Sequence, residues 1–143
     1  MRRRTNDRGA NLVEFALLAP LLLLLVFGII EFGWLFGQFN DVRHGAREGA
    51  RFAAVNAGNE VQVRDTVCSS MEGLSAGMSS IIVDLTRGGV NVGDQSTITV
   101  TANVTSLSGV PLITTFLPNQ LTSTVTFRQE QMPTWVTSAG MTC

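Results

Sequence analysis

The run from Phe15 to Ile30, FALLAPLLLLLVFGII, carries no charge, and its reading decides the architecture of the chain. Sixteen residues of helix rise about 24 Å. Leu12 and Val13 before it, and Phe32 to Phe36 after it, lengthen the apolar segment past the roughly 30 Å hydrocarbon core of a bilayer. Glu14 and Glu31 interrupt its two ends. The segment therefore reads as a membrane-spanning helix over about residues 12–36. A helix buried in a soluble core is the competing reading, and the rest of the chain is too small to wrap one. A cleaved secretory signal would be shorter and followed by a small-x-small site. Glu31-Phe32-Gly33-Trp34-Leu35 offers no such site. Arg2-Arg3-Arg4 loosely resembles a twin-arginine start, but Thr5-Asn6-Asp7 does not continue it.

Outward from this block, the 143 residues leave room for one small domain of modest core. The formal net charge is −1, which points to no nucleic-acid partner. All ten basic residues are arginine, and Arg2, Arg3, Arg4 and Arg8 precede the apolar block. Four arginines ahead of the helix favour a cytoplasmic N-terminus. Arg43, Arg47 and Arg51 follow within the counted flank, so the bias is slight. The Thr-rich, Cys-containing C-terminal half fits an exported domain, and it is placed outside.

Glu14 needs an explanation. A carboxylate within the apolar end of a membrane helix costs about 2.5–3.5 kcal/mol on insertion scales. It can snorkel to the interface, or it can find a cation. A cut between Gly9 and Ala10 would create one, a new α-amino group four residues before Glu14. In an assembled bundle a neighbouring subunit's amine would meet the carboxylate. A paired buried charge is tolerable where a stranded one is not, and the pair would set axial register. The same cut removes four arginines and leaves six against ten acids, a net of −4.

These features together resemble a known family. A basic leader ending in Gly, Glu at the fifth position after the cut, Phe at the sixth, and a long apolar helix form the pattern of type IV pilin precursors. More closely, RGANLVEFALLAPLLLLLVFGIIEFG resembles the TadE-like minor pilins, or pseudopilins, of the tight-adherence (Flp) pilus system. Glu14-Phe15-Ala16-Leu17 leads to Pro20 as in that family. Arg43-His44-Gly45-Ala46-Arg47-Glu48-Gly49-Ala50-Arg51 is a second family-like stretch. The resemblance is strong over Arg8 to Ala54 and weaker beyond. It implies that residues 1–9 are a basic cytoplasmic leader removed by a prepilin peptidase at the bacterial inner membrane. The mature chain would be held single-pass with its C-terminal domain outside, then drawn into or under an extracellular pilus. Its partners would be the peptidase, other pilin subunits with their assembly machinery, and the lipid bilayer. Its roles would be pilus biogenesis and surface adhesion. The length fits an accessory subunit better than the bulk polymer.

The stem continues past the membrane, over residues 10–56. From Asn11 to Val55 the only proline is Pro20, so about 67 Å of helix is possible. Gly33 and Gly37 form a small-xxx-small pair, as do Gly45 and Gly49, and Ala46 and Ala50, with Ala53 and Ala57 nearby. Such spacing lets helices approach closely, although a glycine-rich composition would also produce it. Gly33 and Gly37, with Glu14 and Phe15, are the assembly residues expected. Arg43, Arg47 and Arg51 share a face, offset by Asp41 and Glu48, which reads as a solvated stripe with a lipid-headgroup site as the alternative. His44 is expected at the surface.

Residues 57–143 read as an exported α+β domain. Asn59 to Ser75 has apolar residues at spacings of three and four, Val61, Val63, Val67, Cys68, Met71 and Leu74, which predicts an amphipathic helix ended by Gly73 and Gly77. Ser80 to Thr86 reads as a strand. Ile98, Val100, Ala102 and Val104 alternate with Thr and Asn over Ser96 to Val104, and Leu121 to Arg128 repeats the pattern. That alternation suits a half-buried antiparallel sheet of three or four strands. Pro111 to Pro118 is too apolar for an ordinary loop and is expected to cover the sheet, with a subunit contact as the alternative. Cys68 and Cys143 are expected to bridge within the chain, against an intermolecular bridge or two free thiols. Closing that loop removes unfolded-chain entropy worth at most about 4.5 kcal/mol.

The sequence holds no phosphate loop, paired-carboxylate motif, nucleophile with a base, or metal-ligand spacing. The expectation is a non-enzyme with no cofactor, no metal and no catalytic residue. An uncleaved single-pass anchor presenting a small β-rich binding module is the competing function. It leaves Gly9 and Glu14 unexplained.

Overall fold

The computed structural model describes residues 7–55, 58–71, 78–109 and 111–143. Most of the basic leader, Ala57, and the Gly73 and Gly77 helix stop lie outside the described residues. One helix, α1 (Asp7–Val55), runs unbroken through Pro20 for 49 residues, about 74 Å. It is followed by α2 (Glu60–Ser70), β1 (Met78–Arg87), β2 (Gln95–Val104), the short α3 (Pro111–Thr114), β3 (Gln120–Arg128) and β4 (Ser138–Thr142). The strands form one antiparallel sheet in the order β3-β2-β1-β4. This is the α+β architecture expected, with four strands.

The alternation in β2 and β3 sets which sheet face is buried. Ile98 pairs with Val125, Val100 with Ser123 and Ala102 with Leu121, all on the face toward the helices. The intervening residues point the other way. Thr99 and Thr124 hydroxyls meet at 3.1 Å, and Thr101 and Thr122 at 3.3 Å, on an exposed face. Side chains of one strand face alternate sides, so this sheet has one dry face and one threonine-lined wet face.

The dry face is covered by the outer half of α1 and by α2. Val42, Ala46, Ala50 and Ala53 are buried at helical spacing on α1, and Val63, Val67 and Met71 on α2. Close approach depends on Gly45 and Gly49. A Cβ at Gly45 would stand 2.5 Å from Met71 Cγ, and one at Gly49 would stand 2.8 Å from Ile98 Cδ1. The small-residue pair at 45 and 49 thus packs against this chain's own α2 and sheet.

Helix α2 is shorter than the expected 59–75. Asn59 begins it with a capping box, in which its side chain accepts from the Gln62 amide at 3.0 Å while Gln62 accepts from the Asn59 amide at 3.2 Å. It ends at Ser70, with Met71 as C-cap. The apolar spacing that suggested a longer helix overran, because Met71 is used as a core residue in a non-helical turn.

The tail closes the outer end of the stem. The last four carbonyls of any helix lack partners within it. Here Glu130 N–H donates to the Ala54 carbonyl at 2.9 Å, and Trp135 Nε1–H donates to the Ala53 carbonyl at 3.1 Å. Trp135 is fully buried and packs at 6.1 Å from the Phe127 ring. Beyond it β4 pairs with β1, and Cys143 is bridged to Cys68 of α2 across a separation of 75 residues. The expected internal bridge is therefore the state in the structure.

One expectation fails. The described apolar side chains of residues 111–118 are not buried on the sheet. Phe116 is 76% exposed, and the segment packs at the end of β2, where Thr114, Leu117, Pro118 and Asn119 line a small open depression with Val104 and Ser106. Both sides of the sheet are already committed, one to helices and one to water. The open face is lined by paired threonine hydroxyls and offers apolar side chains little to pack on.

Candidate functional site: the bare stem and the carboxylate at its shoulder

Residues 9–30 of α1 protrude from the domain without a packing partner. Leu12, Phe15, Leu17, Leu21, Leu22 and Ile29 are each at least 64% exposed, and none of the helix's most apolar 18-residue window is buried. This bare length rises about 33 Å, close to one hydrocarbon thickness. Such a helix is compatible with a single-pass membrane anchor. In water, a cylinder of exposed leucine this size would be far larger than the apolar patches soluble proteins tolerate.

The residues expected to matter for processing and assembly all lie on this helix. Gly9, Ala10, Glu14 and Phe15 are exposed, and a Cβ at Gly9 would meet nothing within 4 Å. Gly9–Ala10 falls in the first turn of α1, where helix amides lack intrahelical acceptors and glycine lowers the cost of unwinding. Ala10 and Glu14 are one turn apart on one face, about 6 Å along the axis. Gly33 is exposed with open space around it, and Gly37 is half-buried. The stem thus carries two kinds of small-residue surface. Gly45 and Gly49 are occupied within the chain, whereas Gly33 is open.

Further along, Arg43, Arg47 and Arg51 are exposed on one stripe as expected, with the Arg43 guanidinium 5.4 Å above the Phe39 ring. His44 is exposed.

Sequence reading missed the role of Glu31. It was read only as the outer boundary of the apolar run. Its side chain is 1% exposed, and the two carboxylate oxygens accept the backbone amides of Leu107 and Ser108 at 2.8 and 2.9 Å. Two turns further out, Gln38 Nε2 donates to the Thr105 carbonyl at 3.4 Å. The β2–α3 connection is therefore pinned along the stem, and Glu31 marks where bare helix ends and docked helix begins. A charged residue closing an apolar run, facing a Ser/Gly-rich loop elsewhere in the chain, was the available signal. It does not identify which loop.

Comparison with known proteins places this stem. Residues 9–51 match the family described as TadE-like protein, which bears out the resemblance read from the same residues. The matched segment ends inside α1, so α2 and the sheet lie outside it. Searches of the curated proteins and of the solved structures give no match to this chain.

Proposed function

We propose, from a stem that is TadE-like over residues 9–51, that this chain is a minor pilin or pseudopilin of a tight-adherence pilus. A prepilin peptidase cuts between Gly9 and Ala10. The mature protein stays in the bacterial inner membrane through residues 12–36, with its α+β domain outside, until the stem joins other pilin subunits and the assembly machinery. Its activity is in pilus biogenesis and surface adhesion, and it catalyses nothing.

The observation that carries this reading is the bare apolar helix with one carboxylate, Glu14, a single turn from the cleavage position. The chemistry follows from charge. Before cleavage the Ala10 nitrogen is a neutral amide. After it, the nitrogen is an ammonium that can neutralise Glu14 of an adjacent subunit, so that only processed chains bury the carboxylate without a penalty of about 2.5–3.5 kcal/mol. Processing thereby licenses assembly.

N-terminal mapping of the protein from membranes and from sheared filaments tests the reading. The expected mature N-terminus is Ala10, with Gly9→Leu left uncut and Glu14→Ala cut but absent from filaments. A membrane protein that retains Met1 would instead be the uncleaved anchor with a β-rich binding module.

A further inference from the structure

The connection between β2 and β3 leaves the sheet in a definite direction. Val104 N–H and the Asn119 carbonyl close it at 3.0 Å at the sheet's end. From there the chain runs down the stem, with Thr105 at Gln38 and then Leu107 and Ser108 at Glu31. Gly109, with φ +63°, turns it back. The connection therefore reaches the level of Glu31 at Leu107 and Ser108.

That level can be placed against a bilayer. Starting from Leu12, a 30 Å hydrocarbon core takes up about 20 residues of helix and ends near Phe32. A tilted stem would reach less far, which sets Glu31 deeper. On the open side of α1, Phe32 and Phe36 are 55% and 64% exposed, so apolar surface continues about 7.5 Å beyond Glu31. The connection itself is dressed for lipid. No charged residue occurs between Asp94 and Arg128, and Leu107 and Phe116 are 55% and 76% exposed. The one carboxylate at this depth has both oxygens occupied by backbone amides, which also satisfies two loop amides where water is scarce.

We propose that residues 105–109 and 111–119 form an interfacial foot, a second membrane contact in which Leu107 and Phe116 enter the acyl–headgroup boundary of phospholipid beside the stem. The inference rests on the reading of residues 12–36 as a membrane span. A single helix leaves the domain free to tilt and to rotate about the stem. A foot on one side fixes both, and presents a constant side of the α+β domain to neighbouring subunits. Releasing the subunit from the bilayer would uncover the foot along with the stem.

The test uses the full chain with Trp34→Phe in phosphatidylcholine vesicles whose acyl chains are brominated either near the headgroup or near the terminus. Phe116→Trp, Leu22→Trp and Thr124→Trp are compared, each against the same protein without the added indole. Retention of the Cys68–Cys143 bridge on non-reducing gels confirms folding. The indole at position 116 is expected to lose at least half its emission with shallow bromines and less with deep ones. Position 22 should show the reverse order, and position 124, on the wet sheet face, should be unaffected. Quenching at 22 without quenching at 116 overturns the foot and leaves the anchor standing, and a blue-shifted but unquenched indole at 116 would assign the surface to a protein neighbour. Equal quenching at 116 and 124 also overturns it. No quenching at 22 removes the membrane span and the foot together.

Discussion

Gly49→Ala separates two meanings of the small residues on the stem. A Cβ at this position overlaps Val67 Cγ2 and stands 2.8 Å from Ile98 Cδ1, where carbon atoms ordinarily rest at about 3.5–4.0 Å. Val67 is β-branched and held in essentially one rotamer on α2, so it cannot swing aside. Overpacking costs about 1–3 kcal/mol, and two contacts below 3 Å put this site at about 2–3 kcal/mol, against which alanine returns roughly 1 kcal/mol of helix propensity. The net expectation is a loss of about 1–2 kcal/mol, or a fall in Tm of about 4–16 °C for a domain of this size. Gly45→Ala carries the same propensity gain but presses on Met71 Cγ and Sδ at 2.5 and 2.6 Å, and a methionine can bend. It should cost less than Gly49→Ala, with Val67 Cγ1 at 3.3 Å the lesser contact. Gly33→Ala meets nothing within 4 Å and should not destabilise the domain. The assay is thermal unfolding of the full chain in detergent, followed by near-UV circular dichroism at Trp135. Val67→Ala should rescue Gly49→Ala, with a coupling above about 0.5 kcal/mol in the double-mutant cycle. A Gly49→Ala protein as stable as wild type, or no coupling to Val67, would refute the packing argument.

Three further outcomes are expected. Replacing both cysteines, Cys68→Ser with Cys143→Ser, should cost up to about 4.5 kcal/mol in urea unfolding, and adding reductant to the double variant should change nothing further. Trp135→Phe removes the donor to the Ala53 carbonyl and leaves a helix-end acceptor buried, a loss of about 1–3 kcal/mol readable in thermal unfolding followed by far-UV circular dichroism. Glu31→Ala strands the Leu107 and Ser108 amides, and hydrogen exchange at those two positions should accelerate while exchange in β2 and β3 stays slow.

What could be read in advance follows from the range of each interaction. The strand over Ser96–Val104 was legible because alternation is local, and the structure extends it by only one residue, to Gln95. The stem was legible for the same reason, since its apolar run is self-contained. β4 was not identified as a strand. Ser138-Ala139-Gly140-Met141-Thr142 has no alternation to speak of, and it is placed by pairing with β1 and by the Cys143 bridge. The apolar character of residues 111–118 was visible, but composition does not say which surface is vacant. Glu31 is the clearest case. Its partners lie 76 and 77 positions away, and no local pattern announces a contact between a helix and a loop at that distance.

The stem does not end where the domain begins; it runs on as the domain's own core helix as far as Val55. The seam between them extends from Glu31 to Val55, about 36 Å along the axis. A pull along the helix therefore loads this seam in shear. The Glu31 clamp, the Gly45–Gly49 contact and the caps on Ala53 and Ala54 resist together, where a domain hung from the stem's tip would peel away one contact at a time. The bridge from α2 to the last residue ties the far side of the sheet into the same frame. For a subunit drawn out of a bilayer by its helix, that geometry makes the domain travel as cargo bolted along a rod.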